Sequence, residues 1–447
     1  MTALLTPFLG SAVNVALPAM AAELRLDPVE LSWVATSFLV ATTVCLVPFG
    51  RLADQVGRKR VFLLGMAVFL LAAAGCGLAV SAAGLIGFRV VQGIGAAMIF
   101  STGLAILTSV YPPGERGRVL GFNAAAVYLG LSIGPVAGGY LTQHWGWRSV
   151  FWVCVPLGLA TLGIAWRGLK GEWRGATSGG FDWVGSTLYG LALIAFMLGL
   201  SSLPGWKGAG LTAAGLAVFA VLLRWERRVA TPVLDVALMT RNVVFARSNL
   251  AALINYSATF AVTFLLSLYL QYVRGLDPGQ AGLVLLTQSV MMMLVSPLAG
   301  WWSDHVEPRI VASVGMGLTL LGLVALARLG PATPLGGIVA MLVVVGAGFG
   351  LFSSPNTNAV MSAVERKDQG IASATLGTMR LMGQTVSMGL AAAVLAAYVG
   401  RTPITPALHE PFIAAVRVAF AISAALCVVG LWASLARGNV RTAKAAV

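Results

Sequence analysis

The sequence predicts an all-α integral membrane protein with fourteen transmembrane helices, arranged six plus two plus six. Three observations lead there. Of 447 residues, 58% are hydrophobic and 10% charged, with a mean hydropathy of +0.88. A soluble chain carries about a quarter charged residues, so no soluble core conceals this much apolar surface and lipid must cover it. Apolar runs close to the roughly 17–25 residues of a spanning helix recur from one end to the other. A charged turn between two such runs, GRLADQVGRKR at Gly50–Arg60, returns in degenerate form as GWWSDHVEPR at Gly300–Arg309. The first copy holds an acid and four fixed positive charges, so it must lie on one side of the membrane, outside hydrocarbon.

The runs follow in order. The first starts almost at Met1 and ends near Met20. Its Ala19 and Ala21 imitate a leader cleavage site, but no basic region precedes it and Asn14 interrupts it, so it is read as a span. Five more runs fall near 32–50, 60–80, 84–108, 118–140 and 149–167, and Gly65 in the third is expected to face lipid. A polar, glycine-rich segment, Lys170–Phe181, leads to two runs near 183–203 and 209–225. The basic stretch Arg224–Arg241 then precedes six more, near 245–272, 280–303, 310–328, 334–354, 370–398 and 412–435. This divides the chain into a six-helix unit at 1–168, a linker with two extra helices at 169–241 and a second six-helix unit at 242–447.

Charge placement orients the chain. If both termini share the cytoplasmic side, that side collects Arg51, Arg58–Arg60, Arg116, Arg118, Arg167, Lys170, Arg174, Arg224, Arg227, Arg228, Arg241, Arg309, Arg366, Lys367, Arg437, Arg441 and Lys444. The other side receives Arg25, Arg148, Lys207, Arg274, Arg328, Arg401 and Arg417. The positive-inside rule therefore puts both termini in the cytoplasm, in accord with an even number of crossings. The net charge of +14 is topological. No charged face is long enough to follow a phosphate backbone, so nucleic acid is excluded as a partner. Cys45, Cys76, Cys154 and Cys427 all lie in apolar runs and read as packing residues. His144, His305 and His409 are dispersed, with no metal-ligand spacing, phosphate loop or cofactor signature, so neither an enzyme nor a metal site is expected.

The motifs narrow the field. In the first charged turn, Gly57 permits a tight reversal, and Asp54 is placed to pair with Arg58 or Arg60 or with a neighbouring helix terminus. RVVQGIG puts Arg89 about one turn inside the fourth run with Gln92 at i+3 on the same face. GFNAAAVYLGLSIGPVAGGY, Gly121–Tyr140, spaces Gly130, Gly134 and Gly138 every four residues, making a smooth ridge for close helix packing and a candidate surface on which the halves move. Pro135 loosens that helix. WGWRSVFWVCVPLG, Trp145–Gly158, sets Trp145, Trp147 and Trp152 at a membrane boundary, and FDWVG opens the seventh run.

Together these strings resemble the major facilitator superfamily, and within it the fourteen-helix drug:proton antiporter subgroup, over practically the whole chain. The resemblance implies that the Asp54–Arg58 turn, with Asp304 in its degenerate copy, latches the helical bundles in one state. It implies that Arg89, with Gln92 beside it, serves proton transfer. It implies that the glycine ridge marks an exporter, with the proton as coupling ion, no cofactor, small amphipathic substrates, membrane lipids as surroundings, the inner (plasma) membrane as location and the monomer as working unit. Exporters or flippases of an endogenous lipid or metabolite share these features, as would a receptor or scaffold on the same fold. One departure matters: in FLGSAVNVALP, Leu9 stands where many drug exporters have an aspartate, and no acid sits near mid-membrane in any run. The substrate cavity is therefore expected to be lined by Asn14, Asn123, Tyr128, Asn255, Tyr256, Gln288, Met292, Asn356 and Gln384, with Arg380 facing the central path or an inner gate.

Overall fold

The computed structural model describes residues 1–111, 115–174, 182–229, 236–365 and 369–438. Phe181, Arg366, Lys367, Arg441 and Lys444 of the sequence reading, and the side chains of Arg116 and Arg118, lie outside the described residues. Among those described, fourteen helices are long and apolar enough to cross a membrane. They are α1 (Thr2–Leu24), α2 (Pro28–Val56), α3 (Arg58–Leu78), α4 (Ala82–Val110), α5 (Arg116–Trp145), α6 (Arg148–Gly168), α7 (Trp183–Ser201) and α8 (Trp206–Glu226). Then come α9 (Val243–Val273), α10 (Pro278–His305), α11 (Pro308–Leu326), α12 (Leu335–Ser362), α13 (Gln369–Tyr398) and α14 (His409–Leu435).

Helix starts follow capping chemistry more than hydropathy. Asp27 accepts from the backbone N–H groups of Val29 and Glu30 at 2.7 and 2.8 Å, and Glu30 accepts from the backbone of Asp27 at 3.1 Å. This reciprocal cap starts α2 at Pro28, ahead of its apolar run. Asp277 and Gln280 do the same for α10 at Pro278. Asp27 and Asp277 lie 250 residues apart, the same interval as Asp54 and Asp304, so the internal repeat covers whole helices and not only the charged turns. Within α9 the helix passes Phe260 and ends in a π-helical turn, Tyr269–Val273.

Packing carries the same repeat. In the first six helices α1 lies on α5 and α6, α2 on α4, and α3 on α4 and α6; in the last six α9 lies on α13 and α14, α10 on α12, and α11 on α12 and α14. Each pairing recurs eight helices later. Between the two sets, α5 meets α10 and α2 meets α13, the crosswise exchange expected of a pseudo-two-fold axis. The α7–α8 hairpin leans on α2 and α13.

Two sequence expectations are corrected here. Gly65 is buried, and a Cβ on it would come within 2.6 Å of the Met98 Cβ and 3.0 Å of the Gly95 carbonyl, because α3 and α4 cross there on paired glycines. It does not face lipid. Trp147 is also buried, at 2% exposure, and donates to Glu23 at 2.7 Å. Arg148 bonds the same carboxylate and the Ala79 carbonyl, so the WGWR string ties α1, α3 and α6 together; only Trp145 and Trp152 are left exposed.

Candidate functional site at the seam between the halves

The seam is closest at the end away from the termini. A Cβ on Gly139 of α5 would lie 2.3 Å from the Pro278 carbonyl oxygen, and one on Gly282 of α10 would lie 2.1 Å from that of Pro135. The Ser267 hydroxyl donates to the Asn14 carbonyl at 2.8 Å, and the Gln271 amide donates to the Val15 carbonyl at 3.0 Å. Near mid-helix, the Thr43 and Thr385 hydroxyls of α2 and α13 are 3.1 Å apart. Toward the terminus-bearing end of α5, Gly121, Phe122, Ala124 and Ala125 are exposed on successive sides of the helix.

Farther along the helices, toward mid-membrane, is a polar and aromatic cluster. Arg380 reaches from α13 to donate through Nη2 to the Thr357 hydroxyl of α12 at 2.5 Å, and its guanidinium carbon lies 5.8 Å from the centre of the Tyr256 ring on α9. Tyr256 meets Phe349 edge-on, ring centres 5.1 Å apart. From the other half, the Tyr128 hydroxyl sits 3.5 Å from both the Ser353 and Ser296 hydroxyls. Tyr128, Arg380, Tyr256 and Ser353 each lie about 14–20 Å along their helix from its terminus-bearing end. Four helices thus bring side chains to one level. The sequence alone points to Tyr128, Tyr256 and Arg380 but not to Thr357, Ser353 and Ser296, since small hydroxyls in apolar helices usually bond their own backbone.

The remaining candidates are distributed. Asn255 is fully buried with neither amide atom hydrogen-bonded, and the Gln288 carbonyl oxygen is likewise buried without a partner. Met292 is buried; Asn123 and Gln384 are half-buried. Asn14 is buried in the seam, where its main-chain carbonyl makes the contact. Asn356 serves a separate cluster in the last six helices, where it accepts from Arg437 at 2.8 Å and donates to the Ser248 carbonyl at 3.1 Å. Burial lowers the Arg437 pKa to about 10, which leaves it charged at neutral pH.

The charged turn is pinned from several sides. Arg58 donates through Nε to Asp54 at 2.8 Å and through Nη1 to the Ser109 hydroxyl on α4 at 3.0 Å. Gly57 has φ +128°, and a Cβ there would come within 2.5 Å of the Glu172 side chain. Glu172 also accepts from the Lys59 backbone at 2.8 Å and pairs with Arg60 at 3.7 Å, so the stretch after α6 belongs to this assembly. Its only sequence signal is one acid among basic residues. Asp304, in the equivalent turn, is exposed next to the end of α10.

Arg89 is 2% exposed and enclosed by its own neighbours. Its Nε donates to the Val34 carbonyl at 2.9 Å, its Nη1 to Gln92 at 2.6 Å, and its guanidinium lies 4.4 Å over the Phe38 ring. The ridge of Gly130, Gly134 and Gly138 rests on α1: Cβ atoms there would lie 2.4 Å from the Leu4 carbonyl, 1.8 Å from the Ser11 hydroxyl and 2.6 Å from the Ala12 Cα. The seam uses the neighbouring stripe, Pro135 and Gly139, about 100° round the helix.

This arrangement, two like-packed six-helix sets around a shared polar level, accords with the sequence comparisons. The profile of the Major Facilitator Superfamily matches residues 1–184 and 249–446. The chain belongs to that superfamily. It is a multi-pass membrane protein and a transporter of small molecules, not an enzyme. Its sequence is 33% identical over 412 residues to the cephamycin export protein CmcT of Amycolatopsis lactamdurans, covering 89% of this chain and 84% of that one. It is 32% identical over 402 residues to the multidrug resistance protein Stp of Mycobacterium tuberculosis, covering 87% and 73%. It is 28% identical over 427 residues to the riboflavin transporter RibZ of Clostridioides difficile, covering 94% and 92%. Among solved structures, a bacterial homologue of the human lysosomal transporter Spinster, in its inward-facing unoccupied conformation, superposes with a TM-score of 0.69 at 16% identity, covering 98% of this chain and 96% of that one, a likeness of fold.

Proposed function

We propose that this superfamily member is a proton-driven exporter of small amphipathic compounds, of the fourteen-helix drug:proton antiporter subgroup. It works as a monomer in the inner membrane with both termini cytoplasmic. The supporting observation is the polar and aromatic level formed by Tyr128, Tyr256, Arg380 and Thr357 between two sets of helices that meet tightly at the end away from the termini. Helices α1–α6 rock against α9–α14 about that level, and α7–α8 ride outside. The names of CmcT and Stp, an export and a resistance protein, point the same way. The riboflavin transporter is a reminder that a relative of this length can carry a planar metabolite.

Direction and coupling are tested together. Cells overproducing the protein should retain less of an amphipathic fluorescent dye than empty-vector cells while an inward proton gradient is present, and a protonophore should erase the difference. Accumulation that depends on the gradient would reverse the assignment.

In this reading the Asp54–Arg58 pair holds one of the end states. Both side chains are about a quarter exposed, 26% for Asp54 and 21% for Arg58, so the pair is worth about 1 kcal/mol or less. Asp54→Asn is therefore expected to leave membrane abundance unchanged and to lower initial transport rate about fivefold, as the balance between end states shifts. Wild-type turnover at equal abundance would remove the latch.

A further inference from the structure

The charge at the central level is a cation with an unused hydrogen-bond donor. Arg380 Nε is buried and has no hydrogen-bond partner, although Nη2 of the same guanidinium is engaged by Thr357. A guanidinium has five N–H donors in a rigid fork and no acceptor. Leaving one of them dry is unfavourable, the more so for a charged group. No Asp or Glu occupies the middle of any of the fourteen helices, so no side chain at this depth neutralises the charge. A cation this far into a membrane protein persists where it faces a cavity or a counter-charge. The residue as a whole is half-buried and not sealed in.

The surroundings select what fits. Tyr256 presents its ring beside the guanidinium, with Phe349 behind it and the Tyr128 hydroxyl across the seam among the Ser353 and Ser296 hydroxyls. That is one fixed positive charge, hydroxyl donors and aromatic surface. We infer that Arg380, Thr357, Tyr256 and Tyr128 form a subsite for the carboxylate of a small aromatic anion, which takes the free Nε–H of the guanidinium while its ring system lies against the tyrosines. This rests on the transport reading above and names its substrate class. A carboxylate meets the fork with two parallel bonds. A quaternary ammonium of equal size would meet the same guanidinium as a like charge with no carboxylate to offset its desolvation.

The test is binding to the purified full-length protein in nanodiscs of zwitterionic lipid, with three probes of matched size. These are 2-naphthoate, 2-naphthamide and (2-naphthylmethyl)trimethylammonium, each followed by isothermal titration and by the shift in thermal unfolding. The unaltered protein should bind naphthoate at least tenfold more tightly than the amide, and the quaternary compound no better than the amide. Arg380→Gln should weaken naphthoate at least tenfold while the amide stays within twofold. Should Arg380→Gln fail to fold, the order of the three probes on the unaltered protein decides alone. Naphthoate binding that is absent, no tighter than the amide, or retained in folded Arg380→Gln would overturn the subsite. No gradient is imposed, so the two readings separate. Naphthoate bound through Arg380 in a protein that exports no dye would defeat transport and keep the subsite, whereas dye export without naphthoate preference would do the opposite.

Discussion

Leucine at Gly134 should lower transport at least tenfold and depress thermal stability, while leucine at Gly163 should leave both near wild type. A Cβ at Gly134 would already lie 1.8 Å from the Ser11 hydroxyl and 2.8 Å from the Phe8 carbonyl oxygen, and the second of these is backbone that cannot rotate away. Small residues let membrane helices approach this closely, and dispersion and packing replace the hydrophobic effect as the force between them. Four side-chain carbons inserted there must push α1 off α5. Overpacking of this kind costs about 1–3 kcal/mol even where neighbours can yield. The displacement also reaches the seam, because α1 presents the Asn14 and Val15 carbonyls to Ser267 and Gln271. At Gly163 on α6 nothing would lie within 4 Å of an added Cβ, so the same side chain has room. The check is initial rate per molecule in membranes together with the unfolding midpoint; equal rates for the two variants would show that the α1–α5 contact does not govern the cycle.

Most of the fold could be read in the residues, because a bilayer forces each crossing to declare itself as an apolar run and each turn as a break in it. The paired turns at Gly50–Arg60 and Gly300–Arg309 likewise announce a repeat, and Asp27 with Asp277 extends it to the far ends of the same helices. What could not be read was which side of a helix faces what. In a span that is apolar all round, periodicity gives almost no face. The sequence assigns Gly65 to lipid and Gly134 to a packing ridge, yet both are packed, one on α4 and the other on α1, and it is Gly139, one residue beyond the ridge, that meets α10. The central cluster illustrates the same limit. Tyr128, Tyr256 and Arg380 stand out because polar groups are conspicuous in apolar runs, but Asn356 stands out equally and serves Arg437 instead. Thr357, next in sequence to Asn356, is the residue that holds Arg380. Glu172 escapes notice because its partners, Gly57, Lys59 and Arg60, are more than a hundred residues away.

The largest effect is expected from locking the tight end of the seam. An alternating-access carrier must open each end in turn, so fixing either one stops the cycle completely, whereas a channel or leak of the same shape would continue to conduct through the end left free. Gln143 on α5 and Gly279 on α10 are suited to this. A Cβ on Gly279 would sit 2.5 Å from the Gln143 side-chain oxygen, the two helices come from opposite halves, and the contact lies far from the Tyr128, Tyr256 and Arg380 level. The native Cys76, Cys154 and Cys427 are buried, and Cys45 is half-buried at mid-helix. The decisive measurement is dye efflux from cells or vesicles carrying Gln143→Cys with Gly279→Cys, before and after a short bis-methanethiosulfonate linker and again after reduction, with each single-cysteine protein as reference. Alternating access predicts that efflux falls to the empty-vector level only in the linked double variant and returns when the linker is cleaved. Undiminished efflux through the fully linked protein would contradict it.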